Sequence, residues 1–171
     1  LLQRSPGYIA AQDALLMLLV RMGDWAALAE VAEERPQALE SVFEHLAAAA
    51  ASEPQLWHNA VRVAARGASP ELERRALEGA ADARIADGAM LAKLGDLALE
   101  AGEFESAVAR IEQAVEHADG PGERRERRDR LVALYGEREM FERAFEVALD
   151  AVFDTPDKER VERAEALARK A

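Results

Sequence analysis

The fold of this chain is decided by residues 104–115, FESAVARIEQAV, and by a second version of them at residues 141–152, FERAFEVALDAV. In both stretches, apolar residues occupy offsets 0, +3, +4, +7, +10 and +11 from the leading phenylalanine. This spacing places them on one face of an α-helix. The first four offsets recur at Trp25, Leu28, Ala29 and Ala32. A helical stripe that recurs at intervals of roughly 35–45 residues predicts a helical repeat array.

The composition favours an all-α fold. The chain has 171 residues, of which 50% are apolar and only 5% aromatic. Alanine dominates the apolar set, and alanine is both the best helix former and small enough to let helices approach closely. No stretch alternates β-branched or aromatic residues with polar ones, so no strand is predicted.

Charge and composition also limit the function. The net charge of −11 argues against general binding of nucleic acid, whose phosphates would be repelled. The absence of cysteine excludes disulfides and thiolate chemistry. No apolar run approaches the ~20 residues of a membrane span. Because the chain begins Leu1-Leu2-Gln3 without Met, we expect a fragment of a longer protein. The basic residues are nearly all arginine, which fits a GC-rich bacterial genome, and we expect a cytoplasmic location.

Punctuating residues predict where the helices begin and end. Gly23 and Gly102 are expected to close helices, and Asp24 and Ser69 are expected to cap the helices that follow them. Pro36 should interrupt a helix, so residues 24–51 form either one kinked helix or two, and we favour one. The predicted organisation is a single domain over residues 1–171, with units at about residues 9–51, 54–86, 88–119 and 121–154 and a last helix at 156–171.

These residues resemble the tetratricopeptide repeat, a helix pair of roughly 34 residues. The preferred residue types of that motif are matched in one unit by Leu94, Gly95, Gly102, Phe104, Ala107 and Ala114, and in the next by Leu131, Tyr135, Phe141, Ala144, Ala151 and Pro156. Leu16 and Val132 depart from the motif, which prefers a small residue there, as does Arg35 where alanine is usual. The resemblance is strong at both ends of the chain and poor in the middle.

The resemblance implies a right-handed α-solenoid of antiparallel helix pairs, with about 8–9 helices and an irregular middle. It also implies that Phe104 and Phe141 wedge between helices and that the first helix of each pair lines a concave groove that binds a partner. The candidate groove residues are Asp13, Met17, Val20, Arg21, Ala92, Asp96, Leu99, Glu100, Asp129, Ala133 and Glu137.

This groove lacks the lysine and asparagine with which one type of repeat domain clamps the carboxylate of a C-terminal tail. Asp13, Ala92 and Asp129 stand where the lysine would be, and Met17, Asp96 and Ala133 where the asparagine would be. An acidic, partly apolar groove favours a basic or amphipathic protein segment instead.

No sequence pattern predicts chemistry. His45, His58 and His117 form no metal-ligand spacing, and no phosphate-binding glycine loop occurs. We therefore predict no catalytic, cofactor-binding or metal site, and a protein that is not an enzyme.

The charge run at residues 123–130, ERRERRDR, has two interpretations. The first is a solvated helix with Glu123–Arg127 and Glu126–Arg130 pairs at i, i+4. The second is a basic patch of Arg124, Arg125, Arg127 and Arg128 for an acidic peptide or phosphate. The first is favoured, because such runs usually belong to a solvated face.

The predicted function is a protein–protein interaction scaffold that binds a partner protein or peptide through its concave surface. The alternative is a peptide-sensing regulatory module, or a noncatalytic region of a larger signalling protein or enzyme. The sequence leaves the partner and the oligomeric state open.

Overall fold

The computed structural model describes residues 6–34, 38–66, 69–154 and 156–171, without the side chains of residues 6–10, 12, 13, 29 and 32–34. These ranges contain ten α-helices, one short 3-10 helix at Pro54–Leu56 and no strand, so the all-α prediction is confirmed. The α-helices are α1 (Pro6–Met22), α2 (Trp25–Glu34), α3 (Leu39–Ala50), α4 (Trp57–Arg66), α5 (Pro70–Asp82), α6 (Gly88–Glu100), α7 (Phe104–Glu116), α8 (Pro121–Glu137), α9 (Phe141–Asp154) and α10 (Lys158–Ala168).

The chain divides into two compact units, Leu1–Ile85 and Ala86–Ala171. The division falls between the predicted units 54–86 and 88–119. The single domain expected over residues 1–171 stays a prediction.

Most of the predicted turn and cap residues have their expected roles. Gly23 and Gly102 adopt positive φ angles of 67° and 78°, which glycine accepts without a Cβ clash. The Asp24 carboxylate accepts a hydrogen bond from the Ala27 amide at 3.1 Å, and Ser69 accepts one from Leu72 at 3.5 Å. The break predicted at Pro36 lies outside the described residues.

The Leu1–Ile85 unit is built from α1 to α5. Its buried core draws leucines, valines, alanines and one phenylalanine from all five helices: Leu16, Leu28, Leu39, Val42, Phe43, Leu46, Ala60, Val63, Ala64 and Ala76. Here α4 packs against α2, α3 and α5, so helices do not simply contact their chain neighbours. This is the irregularity that the sequence predicted for the middle of the chain. The Trp57 ring occupies the space where a Cβ on Gly79 would lie, which brings α4 and α5 close together.

The Ala86–Ala171 unit is more regular, because each helix from α6 to α10 packs against the next one in the chain. The predicted stripe on α7 is buried at Ala107, Val108, Ile111 and Ala114. On α9 the alanines of the stripe are buried, whereas Phe141, Phe145 and Val152 are half-buried. Both stripes therefore face the core as predicted.

Phe104 links α7 to α8. Its half-buried ring meets the Tyr135 ring edge-on, with the ring centroids 6.5 Å apart. The guanidinium of Arg138 lies 4.7 Å from the centroid of the Phe104 ring. Tyr135 is 1% exposed and its hydroxyl donates to the Glu112 carboxylate at 2.9 Å. Burial, and then this hydrogen bond, raise the pKa of Tyr135 above its usual value.

Gly95 sets the spacing between α6 and α7. A Cβ built on it would lie 2.7 Å from Cγ1 of the buried Ile111 and 3.3 Å from the Ala107 carbonyl oxygen. Near Gly136, at the end of α8, the space is open. A side chain at Gly95 would therefore clash with α7, whereas a side chain at Gly136 would meet no neighbour.

We expect Gly95→Ala to lower the free energy of unfolding by about 1–3 kcal/mol, because Ile111 is held on all sides and α7 must shift. Gly136→Ala should instead raise it by roughly 0.5–1 kcal/mol, because alanine is the better helix former and meets no neighbour. Urea unfolding followed by circular dichroism measures both. Equal effects of the two substitutions would contradict the close approach of α6 and α7.

Candidate partner-binding surfaces

The groove residues predicted in the Leu1–Ile85 unit lie on α1. Met17 is 48% exposed, Arg21 is exposed and Val20 is half-buried against the core. The side chain of Asp13 lies outside the described residues. Sequence analysis missed that α1 also exposes a stripe at i, i+3 and i+7, formed by Leu15, Leu18 and Met22.

In the Ala86–Ala171 unit, α6 and α8 line an open cavity of about 340 Å³, here called the α6–α8 groove. Its lining residues are small or charged: Ala89, Ala92, Lys93, Asp96, Glu123, Glu126, Arg127 and Arg130. Ala92 and Asp96 were among the predicted groove residues, and Arg127 was predicted as part of a basic patch. The other five were not singled out by the sequence as groove residues.

Two ion pairs connect first helices of successive repeats in this unit. Arg130 of α8 pairs with Asp96 of α6, and Arg163 of α10 pairs with Asp129 of α8 at 3.1 Å. In each pair the arginine follows the aspartate by 34 residues. That separation equals the roughly 34 residues of the motif that the sequence resembles, so a search for opposite charges at that spacing would have found both pairs.

The ion pairs change the charge of the predicted groove. Asp96 and Asp129 were expected to offer free carboxylates to a basic partner, but both are already engaged by arginine. Glu100, Ala133 and Glu137 are exposed, whereas Leu99 is half-buried and packs against the core. Glu100, Glu126 and Glu137 form no ion pair within the described ranges, so the remaining acidity lies with them.

The arginines of the charge run have different environments. The Arg127 side chain is 11% exposed, donates to the Ala114 carbonyl at 2.7 Å, and pairs with Glu123 at 3.0 Å as predicted. It occupies the space that a Cβ on Gly88 would need. Arg127 is therefore a packing residue at the junction of α6, α7 and α8.

Arg130 and Arg128 both reach across to other helices. The predicted Glu126–Arg130 pair was wrong, because Arg130 turns to Asp96. Arg128 pairs with Asp154 and lies 3.4 Å from the Asp150 carbonyl of α9. Arg124 and Arg125, by contrast, line neither wall of the α6–α8 groove; Arg125 is 56% exposed and lies 3.9 Å from Asp129.

Histidine forms local contacts only, within the part of the chain that the structure describes. Nδ1 of His58 lies 3.3 Å from the Gln55 carbonyl, and Nδ1 of His117 lies 2.9 Å from the Gln113 carbonyl. Within the described ranges, no three His, Asp or Glu side chains gather in a way that could hold a metal ion. In the same ranges, every helix is too short or too polar to cross a bilayer.

The chain is similar in fold to a solved structure. No protein-family model matches the chain, and no curated protein matches it. Among solved structures, it is similar to the crystal structure of a protein from Thermus thermophilus that is described as a thermophilic TPR protein. The two are 19% identical, the match covers 94% of this chain and 92% of that chain, and the TM-score is 0.43. The all-α architecture itself rests on the helices and contacts described above.

Because Arg127 and Arg125 have different environments, we expect their removal to lower the free energy of unfolding by different amounts. Arg127→Ala should lower the free energy of unfolding by about 1.5–3 kcal/mol, since the Ala114 carbonyl loses a charged donor and a packed side chain is removed. Arg125→Ala should change it by less than about 0.5 kcal/mol, because its ion pair is exposed and long.

Thermal and urea unfolding of the two variants measure the difference. Both lose one positive charge from the same helix, so the comparison removes the effect of net charge. If Arg125→Ala lowered the free energy of unfolding as much as Arg127→Ala, the distinction between a packed Arg127 and an exposed Arg125 would be wrong.

Proposed function

We propose that this chain is a noncatalytic interaction scaffold, and that a segment of a partner protein binds in the α6–α8 groove. The observation that carries the proposal is the groove itself: about 340 Å³ of open space between two helices that are otherwise held together by an ion pair. A cleft of this size accepts side chains of an extended or helical segment.

The chemistry of the lining supports a particular kind of segment. Ala89 and Ala92 form a small apolar floor beside α8, which suits one apolar side chain of the partner. Glu126 is exposed and without an ion pair in the described ranges, so it is available to a lysine or arginine of the partner. Lys93 in the same lining can meet one carboxylate.

The overall charge favours a basic partner. A net charge of −11 attracts a positively charged segment from a distance and repels an acidic one. Asp96 and Asp129 are neutralised by their arginines, so this long-range field comes from the excess of other carboxylates. We therefore propose an amphipathic segment whose polar face is mainly basic.

We expect Ala89→Arg to weaken binding of such segments by about tenfold, because the new side chain fills the groove and repels basic residues. Ala109→Arg is the matched control, since Ala109 is also exposed and helical but lies on α7 outside the groove. Fluorescence anisotropy with a set of amphipathic peptides of graded charge, each roughly 15–20 residues long, provides dissociation constants for the wild type and both variants.

Glu126→Lys should selectively weaken the most basic peptides, whereas a neutral peptide should be little affected. If no peptide in the set binds, or if Ala109→Arg weakens binding as much as Ala89→Arg, the groove is not the binding site. Unchanged thermal unfolding of the variants shows that the fold is intact.

A further inference from the structure

The outer face of the charge run lines a second cavity. It has a volume of about 220 Å³ and lies where the start of α8, the end of α9 and the start of α10 meet. We call it the arginine cavity, and its lining residues are Pro121, Arg124, Arg125, Arg128, Ala151, Asp154 and Arg160. Four arginines and one aspartate therefore line this cavity, in a chain whose net charge is −11.

Two of the four arginines are held by the protein. Arg128 pairs with Asp154. Arg160 is only 7% exposed, and its guanidinium lies 3.3 Å from both the Ala151 carbonyl and the Asp157 carboxylate. These contacts fix the positions of two positive charges at the base of the cavity.

The other two arginines have donors to spare. No ion pair or hydrogen bond engages the Arg124 side chain within the described ranges. Arg125 has only the 3.9 Å contact with Asp129 among the described residues, and the Asp129 carboxylate is also bonded to Arg163. Each guanidinium carries five N–H donors, so the cavity presents more donors than its own carboxylate can accept.

This arrangement is unfavourable unless an anion is present. Arg124 and Arg128 are like charges at i, i+4, and Arg124 lies at the first turn of α8, where the helix dipole disfavours cations. On the other face of the same helix, Arg127 and Arg130 are each neutralised by a carboxylate. Arg128 and Arg160 are also engaged by carboxylates, so Arg124 and Arg125 are the cavity arginines whose donors remain for a ligand.

We propose that the arginine cavity binds a phosphate group. A monovalent carboxylate is satisfied by a single guanidinium group, as the Arg128–Asp154 pair illustrates. A phosphate carries up to two negative charges and at least three acceptor oxygens, and it matches several converging arginine forks. The site is separate from the α6–α8 groove, because different faces of α8 line the two cavities.

The first experiment measures binding of inorganic phosphate to the intact chain by isothermal titration calorimetry at constant ionic strength. We expect Arg124→Gln to weaken binding by about tenfold, because a charge-assisted fork is lost. Arg110→Gln is the matched control: it removes the same charge from α7, lines neither cavity, and should leave the affinity unchanged. Asp154→Asn should strengthen binding, since it removes the competing carboxylate.

The second experiment separates the sources of the phosphate group. A short peptide carrying one phosphoserine is compared with the same peptide carrying serine or glutamate at that position, and with inorganic phosphate. Tighter binding of the phosphopeptide than of phosphate, with the same loss in Arg124→Gln, assigns the site to a phosphorylated protein. Equal affinities assign it to free phosphate or a small phosphorylated molecule.

Three results would overturn the proposal. The first is no phosphate binding by the wild type, and the second is an equal loss of affinity in Arg110→Gln and Arg124→Gln. The third is that the peptide with glutamate in place of phosphoserine binds as tightly as the phosphopeptide. Failure of the Ala89→Arg test would not affect this result, because Ala89 does not line the arginine cavity.

Discussion

The regular half of this protein depends on the close approach of α6 and α7, which is possible because small residues lie where the two helices meet. Gly95 leaves room for Ile111 to lie against the α6 backbone, and Ala107 has no side chain beyond Cβ to keep the helices apart. Helices this close leave no void between them, so a single added methyl group lowers the stability of the fold. The position of α7 in turn determines where α8 lies, through the contact of Phe104 with Tyr135.

Close packing also explains why arginine is so prominent in the interior polar contacts. Arg127 reaches the Ala114 carbonyl only because Gly88 leaves space for its guanidinium. Arg160 repeats the contact one repeat later, on the carbonyl of Ala151. In both places an arginine near the start of one helix satisfies a carbonyl near the end of an earlier helix, where intrahelical partners run out. The flexible stem and planar fork of arginine suit this role better than lysine would.

Sequence analysis predicted the helices well and the polar contacts poorly. Apolar stripes and turn glycines such as Gly102 depend on local geometry, so the sequence of a single helix and its turn is enough to predict them. The ion-pair partner of Arg130 is not local. Glu126, one turn away, was expected, but Arg130 pairs with Asp96 of α6, which the fold brings within reach. The predicted α6 residues Ala92 and Asp96 do line a groove, but with fewer free carboxylates than the sequence implied. The middle of the chain was hard to predict because α4 packs against three other helices rather than in a simple pair.

Helix α8 has two faces that differ in their electrostatics. Along the sequence the charge run is a uniform mixture, but in the helix Arg127 and Arg130 are closely paired with carboxylates. Arg125 has only a 3.9 Å contact with Asp129, and Arg124 has no ion pair within the described ranges. Opposite charges on the inner face cancel and hold neighbouring helices together. On the outer face Arg128 is paired with Asp154, but positive charge still exceeds negative charge around the arginine cavity, in a protein whose net charge is −11. An acidic surface repels most anions, so the anions that do bind must be drawn by several arginines at once. Such a site discriminates by charge density and geometry together, because a weakly charged anion gains too little from the cavity to overcome the field of the rest of the chain.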